Sequence, residues 1–186
     1  MTEEELYRSL DYVNHSREKR AEISALILEN PHLIAPLMEI AFTVDDPISN
    51  RACWVLEFTA KDNLSYLFPY LNEITANLKK VHFDSSIRPM AKICEYLIKA
   101  YFSKTFNETQ KELTEIHLER ITTASFDWLI GNHKVAAQAY SMTCLLLLGE
   151  KFDWIHPELK MILEQNYAVG SAAYKARARM TLAKLK

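Results

Sequence analysis

The residues best placed to bind something are cations and one tryptophan. Arg51, Arg88 and Lys92 stand near the starts of apolar, helix-patterned segments, and Lys175, Arg177 and Arg179 crowd a stretch near the C-terminus. On a helix Lys175 and Arg179 are four apart and share a side, with Arg177 on another. If the segments stack in phase, these cations fall along one rim, a stripe suited to an acidic peptide or a phosphate. Trp54 follows Ala52 by two places on the same segment, so it points away from that alanine and is expected to be partly exposed as a binding anchor.

Metal and nucleophile chemistry finds less to work with. The six histidines (His15, His32, His82, His117, His133, His156) are scattered, with no His-Glu-x-x-His and no Cys-x-x-Cys. His82 and Asp84 offer two ligands in a turn, but Asp84 is explained more simply as a helix cap. Cys53, Cys94 and Cys144 each sit inside an apolar stretch and read as buried thiols. No catalytic residue, cofactor site or metal site is expected. Three glycines, Gly131, Gly149 and Gly170, each close an apolar segment, where a left-handed cap is expected. A chain with no glycine before position 131 has no phosphate-cradling glycine loop.

The elements that must carry these residues are helical. Four stretches share one pattern, an Asx or Ser three places before an apolar residue and an Ala four places after it. They are Asp45/Ile48/Ala52, Asp84/Ile87/Ala91, Asn132/Val135/Ala139 and Ser171/Tyr174/Ala178, at steps of 39, 48 and 39 residues. Such a period belongs to stacked helical hairpins. The Asx or Ser is read as the cap and the small Ala as the point of close helix approach. The segments expected to be helical run over residues 3–14, 16–29, 32–44, 45–61, 64–81, 87–102, 112–130, 133–148, 152–167 and 171–185. The polar stretch 104–111 is an inserted loop that accounts for the longer step. A second marker recurs in the alternate segments, an apolar residue two before Pro36, Pro69 and Pro157, placing each proline in the first turns of its helix. Phe126, Trp128, Phe152 and Trp154 are large aromatics at helix ends, expected to plug the seams between hairpins.

These hairpins, with apolar-x-Pro in the second helix and an Asp-capped, Ala-containing first helix, resemble HEAT repeats over residues 17–186. The resemblance implies an all-α, right-handed superhelix of about four hairpins behind a lead-in helix, one domain over 1–186, whose inner helices bind another macromolecule. It brings no catalytic residues. A second, local likeness is that of Ser85-Ser86-Ile87-Arg88-Pro89-Met90-Ala91-Lys92 to the signature loop of adenylosuccinate lyases, where a Ser on a mobile loop acts as general base. Arg88 replaces the family's Met, Lys92 lies one place late and the closing Asn is absent, so the stretch reads as the capped start of a helix.

Charge and length bound the rest. With 186 residues one core buries roughly 70% of the unfolded surface. A formal charge of −2 disfavours a nucleic-acid module, although HEAT-like alkylpurine DNA glycosylases are the comparison to keep. The charge is uneven: Glu3, Glu4 and Glu5 open the chain, and residues 170–186 carry Lys175, Arg177, Arg179, Lys184 and Lys186 with no acid. The acidic N-terminus has no leader-like apolar core, and the longest apolar run, Cys144–Leu148, is too short for a bilayer. The expected protein is a cytoplasmic, non-enzymatic adaptor for a protein partner, with an acidic one suited to its cations.

Overall fold

Apolar residues at helical spacing, few glycines and no alternating stretches leave the backbone one economical solution. The computed structural model, which describes residues 2–185, is all-helical, with no strand among those residues. Lys186, the last cation of the basic tail, and Met1 lie outside the described residues. The lead-in helix α1 (Glu3–Tyr12) starts with a reciprocal cap: Thr2 Oγ1 accepts from the Glu5 N–H at 3.2 Å, and Glu5 Oε2 accepts from the Thr2 N–H at 2.7 Å. Ten helices follow: α2 (Arg17–Glu29), α3 (Ile34–Ala41), α4 (Ile48–Asp62), α5 (Leu71–Asn77), α6 (Asp84–Tyr101), α7 (Thr109–Glu112), α8 (Glu115–Ile130), α9 (Val135–Leu148), α10 (Ile155–Tyr167) and α11 (Ala172–Leu182).

Helices α2, α4, α6, α9 and α11 form a row in which each packs on the next. Against that row lie α3 on α4, α8 on α9, and α10 on both α9 and α11, while α5 packs on α8. The core runs along the join, through Ile27, Leu37, Leu56, Leu67, Ile98, Leu118, Leu145 and Leu163, all buried. No helix among the described residues is long and apolar enough to cross a membrane.

The alanines of the recurring pattern are core residues with one exception. Ala52, Ala91 and Ala178 are buried, as the pattern requires, but Ala139 is only half-buried and Ala137 takes the core place in α9. The spacing therefore slips by two residues in that unit. Prolines behave more regularly: Pro36 and Pro157 are the third residues of α3 and α10. Pro69 instead sits in a 3₁₀ segment, Leu64–Tyr70, that leads into α5. The single helix expected over 64–81 is thus split into 3₁₀, α and 3₁₀ pieces.

The caps needed most correction. Asp46, not Asp45, accepts from the Ile48 N–H, at 3.0 Å. Ser16 holds the cap position of α2 without a side-chain bond, whereas Ser171 does accept from the Tyr174 N–H. Asn132 is not the cap of α9, which starts three residues later. The inserted loop 104–111 is not slack either. Asn107 donates to the Ala100 carbonyl at 2.8 Å and Gln110 to those of Tyr101 and Ser103 at 2.9 Å each. These bonds tie the loop to the C-terminal end of α6.

None of the three glycines adopts a positive φ, so the expected left-handed caps are absent. At Gly149 the reason for glycine is space: a Cβ there would stand 1.9 Å from the His156 ring. His156 Nε2 is in turn 2.8 Å from the Leu146 carbonyl, which fixes the ring against the end of α9.

All three cysteines are buried and unpaired. Burial pushes the Cys53 and Cys94 thiols up to about 12, and that of Cys144 well above the ordinary value, so none is a thiolate at neutral pH.

Candidate binding face

Two carboxylates that sequence reasoning passed over organise the charges of the helix row. Glu57 on α4 and Glu95 on α6 are both buried. A buried carboxylate stays ionised only if cations and hydrogen bonds replace its water. Arg88 supplies them to Glu57 with a two-pronged contact, Nη2 to Oε2 at 2.7 Å and Nη1 to Oε1 at 3.3 Å.

Glu95 receives three cations. Lys92 Nζ lies 2.7 Å from Oε2 and Lys99 Nζ 2.9 Å from Oε1, one turn to either side on α6 itself. Arg177 reaches in from α11, its Nη2 3.7 Å from Oε1. The same Nη2 donates to Thr143 Oγ1 on α9, whose own proton goes to the Ala139 carbonyl at 3.2 Å. Burial pushes the Glu95 carboxyl upward, but hydrogen bonds and charge from Lys92 and Lys99 outweigh it and hold the pKa below the ordinary value. Burial pushes the Lys92 ammonium down, yet its bond and attraction to Glu95 leave it raised. Lys92 also lies over two rings, 4.4 Å from the centre of Tyr140 and 4.9 Å from that of Tyr96.

At the other end of the row Trp54 does something the sequence did not suggest. It is 8% exposed, not a projecting anchor. Pro89 lies inside α6, and it has no N–H for the Ser85 carbonyl four residues earlier. The Trp54 indole N–H donates to that carbonyl at 2.7 Å, mending the gap. Arg20 of α2 covers the indole, its Cζ 4.6 Å from the ring centre, and donates to the carbonyls of Asn14 and His15. Burial, then the charge of Arg88, lowers the Arg20 pKa.

Of the residues singled out from sequence, the row brings Lys92 and Arg177 together on Glu95, turns Arg88 to Glu57 and buries Trp54 under Arg20. It separates the others. Arg51 turns to the end of α1, where its Nη1 meets Asp11 Oδ1 at 2.6 Å and the Asp11 carbonyl at 2.9 Å. Lys175 and Arg179 share the side of α11 away from Arg177, half-buried and exposed respectively. Sequence reasoning missed Arg20, Glu57, Glu95 and Lys99, although Lys92, Glu95 and Lys99 stand at the three- and four-residue spacings of helix ion pairs.

The remaining candidates resolve into structural roles. Asp84 opens α6 without capping it and instead lies 3.0 Å from His133 Nδ1, tying α6 to the turn before α9. His82 Nε2 is 3.5 Å from Asp45. Ser85 and Ser86 are in the first turn of α6, not on a loop, and the buried Ser86 donates to Asn50 Oδ1 at 2.6 Å. Among the described residues no group of three or more His, Cys, Asp and Glu gathers to hold a metal. Of the end-of-helix aromatics, Trp128 is buried in the core, while Trp154 stacks on Phe126 at 5.6 Å yet remains 56% exposed.

No protein-family model, curated protein or solved structure matches this chain.

Proposed function

We propose that the protein is a HEAT-like solenoid, its hairpins stacked into a right-handed superhelix, that acts without catalysis as an adaptor binding an anionic segment of a protein partner. The face of the α2–α4–α6–α9–α11 row receives that segment. One observation carries this reading: three cations, Lys92, Lys99 and Arg177, converge on the single buried carboxylate of Glu95. A charge set meant only to neutralise Glu95 needs one partner, so the surplus is available to a ligand. The rings of Tyr96 and Tyr140 beneath Lys92 and the Arg88–Glu57 pair fix these side chains in place, which favours a ligand by limiting the ordering it must impose. The chain's net charge of −2 favours a protein segment over a nucleic-acid polyanion.

The test is affinity capture from an extract of the source cells, with and without nuclease, using the wild type and a Lys184→Glu variant. Lys184 is exposed just beyond the end of α11, so the change leaves the packed core untouched. The expected result is a protein partner that survives nuclease and is lost with the variant. Material retained equally by the variant, or removed by nuclease, would overturn the proposal, the latter in favour of nucleic acid.

A further inference from the structure

The surplus charge is concentrated at one end of the row. Lys99, Arg177 and Lys184 line a cleft of about 210 Å³ with Thr143, Leu146, Met180 and Thr181. We infer that this cleft receives a phosphomonoester dianion carried by the partner's chain, a refinement that rests on the adaptor reading above.

The cleft has cations to spare. Lys92 already matches the one charge of Glu95, at 2.7 Å on Oε2, so Lys99 and Arg177 are in excess, and Lys184 lies just beyond the end of α11 to join them. The hydroxyls do not compete as donors. Thr143 gives its proton to the Ala139 carbonyl and Thr181 to that of Arg177, at 3.2 and 3.1 Å. Thr143 therefore accepts from Arg177 and fixes the guanidinium, whose remaining N–H groups are left for a ligand. A carboxylate brings one charge and two acceptor oxygens. A phosphomonoester brings a charge of about −1.5 to −2 and three, a closer match to two or three cations. A phosphodiester carries a single charge per group and is matched less well by cations gathered at one point.

The test is a titration of the full chain followed by NMR at the Arg177 Nε–H, with O-phospho-L-serine, glutamate and single-stranded oligothymidylate as probes. The expected result is a saturable shift with O-phospho-L-serine and binding at least about tenfold weaker with glutamate. Affinity should fall as the phosphate takes up its second proton near a pKa of about 6. Lys184→Gln, a change on an exposed side chain, should weaken O-phospho-L-serine at least about tenfold. Equal response to glutamate, tighter binding of oligothymidylate, or no effect of Lys184→Gln would overturn the assignment. If O-phospho-L-serine does not bind while capture is still lost in the charge variant, the phosphate site fails and the adaptor reading stands. Specific phosphate binding with no captured protein would be the converse, and would separate the two claims.

Discussion

Replacing Glu95 with Gln is expected to lower the unfolding free energy at neutral pH by about 2–3 kcal/mol. The change preserves shape and removes only the charge that Lys92, Lys99 and Arg177 surround. Breaking a buried pair costs about 3–5 kcal/mol when both partners are buried. The lower figure applies because Lys99 is half exposed and Arg177 about one-third exposed, so water recovers part of the loss. The effect has a pH signature. The folded-state pKa of Glu95 is depressed below its ordinary value of 4.5, so the unfolded chain binds the proton more readily. Its contribution is present above that ordinary value and is lost as pH falls through the depressed folded value. Urea unfolding of wild type and variant should therefore show a gap at pH 7 that narrows in acid. A gap that does not change with pH would mean that the loss comes from misplaced amide hydrogen bonds and not from the carboxylate's charge.

The second large effect couples Trp54 to Pro89. Trp54→Phe should destabilise by about 1–2 kcal/mol, by removing the indole N–H from the Ser85 carbonyl and part of the surface beneath Arg20. In a Pro89→Ala background the residue at 89 regains an N–H that can reach the same carbonyl, so Trp54→Phe should be milder there. A double-mutant cycle by chemical denaturation is expected to give a coupling of about 0.5–1 kcal/mol. Strict additivity would show that the indole bond does not substitute for the missing helix bond.

That coupling also shows why exposure was hard to read from spacing. Trp54 was placed outward because it follows Ala52 by two positions, a sound rule for a helix with one wet side. In α4 every residue from Ala52 to Ala60 is buried, because α2 and α6 flank it in the row and α3 covers it from behind. Helical phase cannot predict exposure for such a helix. The helices themselves, and the alternation that puts α2, α4, α6, α9 and α11 together, were legible because apolar spacing and proline positions report local geometry directly. Caps were less legible, since the same Asp that can cap a helix can be claimed by a distant partner, as His133 claims Asp84. The site was legible in part. Arg88, Lys92 and Arg177 stood out by charge, but the two acids that hold them, Glu57 and Glu95, are defined by burial between helices. That burial exists only once the row has formed. Arg51 was drawn to α1 for a related reason: the lead-in helix lies outside the repeat, so phase among repeats gave no warning of its carbonyls.

If a protein partner lies on the face of the helix row, site-specific photocrosslinking detects it there. A benzoylphenylalanine at Tyr140, the half-buried ring beneath Lys92, would report that face, and one at the exposed Trp154 would report a different surface. A nuclease-resistant protein adduct is expected from position 140, diminishing with added salt, and none from position 154. An adduct from position 154 alone, or from neither position under conditions where the partner is captured, would contradict that placement.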